Sequence, residues 1–190
     1  MRKSERKRQL LAQARALIAA EGFRAATPGR LAESAGVSPT VVGRYFPDEE
    51  ALIRAVLDGL RADTFPTPEM SAPDPVGRLQ ALLDGYFAAA REPTLGFRVL
   101  LRGLVELSDP DRRAELNAVL LECTEPLVRL LQAGQQAGVV RRMDAQVAAW
   151  ELLQAVLGYA LTGPRDVPAE EGEATQPLDT LLHGLLKTDV

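Results

Sequence analysis

Pro28, Gly36 and Pro39 decide where backbone helices can start and stop between Thr27 and Phe46, in the first quarter of the chain. Thr27 precedes Pro28, and a threonine before a proline is a helix start: the hydroxyl can accept an orphan N–H, and the ring fixes φ where an N–H has no partner anyway. Leu31, Ala32 and Ala35 then fall on one face, and Gly36 offers the backbone freedom for a sharp turn. Ser38-Pro39 repeats the cap-then-proline start. Two short helices joined by a glycine-containing turn form the helix-turn-helix pattern, whose second helix enters the major groove of double-stranded DNA.

Charge placement agrees with a polyanionic partner. The formal net charge is −4, yet residues 1–47 carry 9 Lys and Arg against 3 Asp and Glu, while the rest carries 13 against 23. A basic end on an acidic body focuses a polyanion onto that end. Leu and Ala dominate, aromatic residues make up 5%, and β-branched runs are scarce, which favours an all-helical chain.

From Leu11-Ala-Gln-Ala through Glu21-Gly22-Phe23, Thr27, Leu31-Ala32, Ala35-Gly36-Val37-Ser38, Tyr45-Phe46 and Glu50 to Leu52, the residues and their spacing resemble the TetR family of bacterial transcriptional regulators. A weaker similarity lies at Gly138-Val-Val-Arg-Arg-Met-Asp144. The resemblance implies an all-α protein with an N-terminal three-helix helix-turn-helix domain and a C-terminal helical bundle for ligand binding and dimerisation. Two positions depart from the family pattern. Gly43 stands where a tyrosine is usual and Glu49 where a lysine is usual, both typically phosphate contacts. Gly43 also costs a helix interior about 1 kcal/mol relative to Ala.

Within the reader, Ser38, Pro39, Thr40, Val41 and Arg44 are the candidates for base contact. Thr and Val offer methyl groups to thymine, and Arg pairs with guanine or a phosphate. Thr27 and Tyr45 have hydroxyls at the family's phosphate-contacting positions, and Lys3, Arg6 and Lys7 resemble the basic arm of many relatives. Val42 and Phe46 are expected in the small domain's core.

Along the chain, helical patterns are predicted over 4–20, for the two reader helices, from Pro47-Asp48 onward, and over 75–91, 93–107, 109–137, 144–163 and 177–187. Pro126 should kink or split the long helix, with Gly134 and Gly138 marking its exit. The stretch 65–75 holds four prolines and reads as a linker. The expected division is 1–47 as the DNA-binding domain, 48–64 as a connecting helix, 65–75 as the linker and 76–190 as the ligand-binding and dimerisation domain. Residues 170–176 read as a polar loop.

The resemblance implies a cavity for an apolar small-molecule effector, for which Tyr86, Phe97, Leu100, Arg102, Leu104 and Trp150 are the candidate lining residues, with Arg98 and Glu106 nearby. Simple core packing competes for most of them. It also implies a homodimer through the last two helices, with Leu157, Leu161, Leu178, Leu181, Leu182 and Leu185 at the interface. Two linked half-site readers gain affinity that one short helix lacks.

Enzymatic chemistry is not expected. The single Cys123 and single His183 make neither a nucleophile–base pair nor, with no suitable carboxylate cluster, a metal site, and no phosphate-cradling loop occurs. No cofactor is implied. The basic start lacks a following apolar stretch and no apolar run spans a bilayer, so a cytoplasmic protein with no membrane partner is expected. The reading is a ligand-responsive DNA-binding regulator, a homodimeric repressor of a palindromic operator. The alternative is a ligand-binding or protein-interaction dimer of the same fold whose reader is impaired by Gly43 and Glu49.

Overall fold

The computed structural model describes residues 3–60, 64–65, 72–162, 181 and 183–186. The described residues are almost entirely α-helical, with one isolated antiparallel bridge, Val140 to Leu186. They form two compact units, residues 1–64 with 93–120 and residues 65–92 with 121–190.

In the first unit, α1 (Lys3–Glu21) buries Leu10, Ala14, Leu17 and Ile18, the spacing of a single helical face. Leu11 beside Leu10 is half-buried. A short 3-10 turn (Phe23–Ala25) leads to α2 (Pro28–Ala35) and α3 (Pro39–Gly43). Next, α4 (Glu49–Asp58) starts at Asp48, whose Oδ1 accepts the Ala51 N–H at 2.7 Å, and buries Leu52, Ile53, Val56 and Leu57. The unit is completed by α6 (Leu95–Glu106), which packs on α1, and by the first part of α7 (Pro110–Gln136), which buries Leu116, Val119 and Leu120.

In the second unit, α5 (Pro75–Arg91) starts with Asp74 accepting the Gly77 N–H at 2.8 Å and packs on α8 (Ala145–Thr162). Leu79, Leu82, Leu83 and Phe87 of α5, Leu127 and Leu131 of α7, and Ala149, Leu153 and Val156 of α8 are buried. Phe65 stacks on Tyr86 at 4.3 Å between ring centroids, and Phe87 meets Tyr159 edge-on at 5.6 Å.

The compact units divide the chain differently from the sequence boundaries. Residues 93–120 belong with the N-terminal unit, where α6 buries Gly96, Phe97, Val99, Leu100 and Gly103, whereas the sequence boundaries place 76–190 together. Pro126 does not split α7, which runs unbroken through it. Gly134 lies inside that helix rather than at its exit. A Cβ there would stand 2.5 Å from Val140 Cγ2, so close packing of the following turn demands glycine. The helix exit falls at Gly138, with φ of 76°. Residues 66–71 of the expected linker, the 170–176 loop and most of the 177–187 helix lie outside the described residues.

Candidate nucleic-acid interface

The reader is built from its two helix starts. Thr27 is extended, φ −97° and ψ 149°, and its Oγ1 accepts the Arg30 N–H at 3.2 Å, so the cap is formed and the hydroxyl proton stays available to an external acceptor. Gly36 closes α2 in the left-handed region, φ 63°, and Val37 N–H donates to Ala32 O at 3.0 Å. This turn sets α3 against α2. Ser38 has the extended backbone of a cap, but its side chain makes no capping bond, so Pro39 alone defines the start. The Ser38 hydroxyl is thereby left to the exposed face.

Only one side chain of α3 itself is sunk into the domain. Val42 is fully buried, and Phe46 just beyond the helix is 1% exposed. Ser38, Pro39, Thr40 and Arg44 are exposed, while Val41 and Tyr45 are half-buried. The six candidates therefore share the outward side of one short, anchored helix. Gly43 is its last residue, and a Cβ there would meet open space, so nothing in the packing requires glycine. Lys3, Arg6 and Lys7 lie on the first turns of α1, with Lys3 and Lys7 exposed and Arg6 donating to Gln9 at 3.5 Å.

Local ion pairs divide the neighbouring charges. Arg30 binds Glu21 at 2.6 Å and Glu33 at 3.4 Å, and the Glu21 hydrogen bond holds its guanidinium above the ordinary arginine range. Glu49 does not stand as a bare negative charge. It occupies the first turn of α4, where the helix dipole favours an acid, and pairs with Arg112 of α7 at 3.6 Å. A second tie, Arg54 to Glu115 at 3.1 Å, holds α4 to α7, and Glu50 pairs with Arg54 at 2.6 Å. Glu21, Arg24, Glu49, Glu106, Asp109 and Arg112 put charges of both signs around an open cleft of about 540 Å³. No sequence pattern points to Arg112 or Glu115, since nothing in a helical pattern shows which distant helix a surface charge meets.

The other candidate residues separate. Phe97 and Leu100 are fully buried in the first unit, Leu104 is half-buried there, and Arg102 pairs with Glu106. Tyr86 and Trp150 belong to the second unit, where Tyr86 Oη donates to the Cys123 carbonyl at 2.8 Å. Burial raises the Tyr86 phenol and pushes the Cys123 thiol up to about 12, so both are neutral at physiological pH. Of the interface candidates, Leu157 and Leu185 are buried, Leu181 is half-buried and Leu161 is 48% exposed. Leu178 and Leu182 lie outside the described residues. Val147, 54% exposed, shares the open side of α8 with Glu151, Gln154, Gly158 and Leu161.

Residues 10–56, the segment holding this reader, match the family described as bacterial regulatory proteins, tetR family. The family match covers this N-terminal segment alone. Solved structures agree on the fold over the whole chain. GusR of Salmonella enterica superposes with a TM-score of 0.78 at 22% identity, covering 99% of this chain and 98% of that one. The ketosteroid transcriptional regulator KstR2 of Mycobacterium tuberculosis gives 0.65 at 20% identity, covering 96% of each. AibR in complex with isovaleryl coenzyme A and operator DNA gives 0.65 at 18%, covering 94% and 95%. No curated protein sequence matches significantly. Among the described residues no helix is long and apolar enough to cross a membrane, and no group of three or more potential ligands is placed to hold a metal ion.

Proposed function

We propose that this protein is a ligand-responsive transcriptional regulator that binds a palindromic operator in double-stranded DNA as a homodimer and represses transcription from it. The observation that carries the reading is the reader itself: α3 is anchored by Val42 and Phe46 and turns Ser38, Pro39, Thr40 and Arg44 outward. Thr27 and Tyr45 supply hydroxyls for phosphates on either side, and Lys3, Arg6 and Lys7 supply charge. AibR, solved with an acyl-coenzyme A and operator DNA, supports a fold that holds a small molecule and an operator in one protein.

The effector site is assigned to the C-terminal bundle, with Tyr86 and Trp150 its first candidates and an apolar small molecule its occupant. Effector binding shifts the reader only through a difference in affinity between two arrangements of the dimer. The dimer is assigned to the open face of α8 at Leu161 with the terminal helix at Leu181 and, beyond the described residues, Leu178 and Leu182, whereas Leu157 and Leu185 are already buried within the single chain.

Selection of genomic fragments with the purified protein tests the reading. A palindromic duplex should be enriched, and Arg44→Glu should weaken its binding roughly tenfold or more, the size of one lost base contact. Failure of a folded dimer to enrich any duplex at low salt would favour the alternative of an impaired reader.

A further inference from the structure

The strand of chain that joins α1 to the reader is held from outside the reader. Gly22 N–H bonds to Ile18 O, Ala25 N–H to Gly22 O, Ala26 N–H to Phe23 O and Thr27 N–H to Ala25 O, so the junction supplies its own acceptors for these amides. The Phe23 amide is the exception. It donates to Glu106 Oε2 at 2.8 Å, across a sequence separation of 83 residues. The other carboxylate oxygen accepts from Arg102 at 2.9 Å, and Arg102 also donates to the Ala20 carbonyl at 3.3 Å. The end of α1 and the start of the 3-10 turn are therefore gripped on both sides by the last turn of α6.

The grip leaves no slack. Gly22 has φ of 89°, and a Cβ there would lie 2.5 Å from Glu106 Oε2, so the carboxylate packs directly on the glycine. Arg113 of α7 donates to the carbonyls of Leu104 at 2.7 Å and Leu107 at 3.3 Å, which fixes the end of α6 in turn. Four residues after Phe23 comes Thr27, which starts α2. The direction in which the chain leaves Phe23 thus sets how α2 and α3 are presented.

We infer that Glu106 is a positioning residue for operator recognition: by accepting the Phe23 N–H it fixes the pose of the helix-turn-helix, and because it stands on α6 it ties that pose to α6. The inference rests on the DNA-binding reading above. It makes a distinction that general stability does not. Phosphate contacts tolerate small changes of pose, whereas base-edge hydrogen bonds do not. Loss of the grip should therefore erode discrimination between specific and non-specific DNA, with the salt dependence of non-specific binding unchanged.

The experiment compares Glu106→Gln, Glu106→Asp and Glu106→Ala with the parent chain, full length, on the enriched duplex and on a scrambled duplex. Glutamine keeps an acceptor for the Phe23 amide and loses the charge, so its specific-to-non-specific ratio should stay within about threefold of the parent. Aspartate keeps the charge for Arg102 but is a methylene too short to reach Phe23, so its ratio should fall at least tenfold, as should that of alanine. Hydrogen exchange at the Phe23 amide should accelerate in the aspartate and alanine variants and not in glutamine. Should the alanine variant fail to fold, the aspartate and glutamine pair decides alone. A parental ratio in the aspartate variant, or an equal fall in glutamine and aspartate, overturns the role of the accepted N–H. No duplex enriched by the parent chain would instead sink the DNA-binding reading itself.

Discussion

Reversing the charge at Glu49 should trade stability for DNA affinity. Glu49 is in the first turn of α4, and its carboxylate, 46% exposed, faces an Arg112 guanidinium that is 30% exposed at 3.6 Å. An ion pair this open to water contributes at most about 1 kcal/mol. An acid in the first helical turn contributes about 0.3–1 kcal/mol through the dipole. Glu49→Lys removes both and sets a second cation beside Arg112, so the chain should lose about 1–2 kcal/mol of stability in urea unfolding. Toward DNA the same change acts the other way. One added phosphate contact per protomer, two per dimer, should steepen the plot of log affinity against log salt by about 1.8, worth roughly thirtyfold at 0.15 M salt. Fluorescence anisotropy on the enriched duplex, run beside urea melts, reads both numbers. An unchanged salt slope in the folded variant would show that the start of α4 does not face phosphates. Unchanged stability would show that neither the pair with Arg112 nor the dipole holds Glu49.

Three further outcomes follow from single contacts. Thr27→Ala deletes the acceptor of the Arg30 N–H, 3.2 Å away, and should lower stability by about 1 kcal/mol in the same unfolding assay. Gly134→Ala forces a Cβ to 2.5 Å from Val140, whose side chain is buried, and should cost about 1–3 kcal/mol, visible as a lower midpoint at unchanged m-value. The buried Cys123 thiol and Tyr86 phenol both have raised folded values, so their contribution is complete below their unfolded values and is lost as pH rises above about 9. Stability should be flat through neutral pH and fall in alkali, and Cys123→Ala should remove part of that fall.

Legibility from sequence followed the range of the forces involved. The helix starts at Thr27-Pro28, Asp48 and Asp74-Pro75 were readable because a cap is a contact between residues three apart. The anchoring of α3 by Val42 and Phe46 was readable because helical periodicity reports which face is inward. Ser38 shows the limit of that reasoning: the residue type and the following proline are right for a cap, yet the hydroxyl is not used as one. At Pro126 the helix continues through a residue with no N–H, which the sequence leaves open between a kink and a split. Contacts between distant segments left no local trace. Nothing local pairs Glu49 with Arg112, 63 residues on, or the Glu106 carboxylate with the Phe23 amide, 83 residues back. Phe97 and Leu100 share an apolar helical pattern with Tyr86, yet they belong to the other compact unit. Periodicity cannot say that α6 packs on α1 and α5 on α8.

The claim at the centre of this account is sequence-specific DNA binding by the outward face of α3. The most direct measurement is titration of the enriched duplex with the parent chain at several salt concentrations, with the mass of the complex read by sedimentation. The account predicts two chains on a palindromic site and a steep, linear fall of log affinity with log salt, shared only in its electrostatic part by a scrambled duplex. Equal affinity for the scrambled duplex, or no binding by the folded protein at low salt, would contradict it.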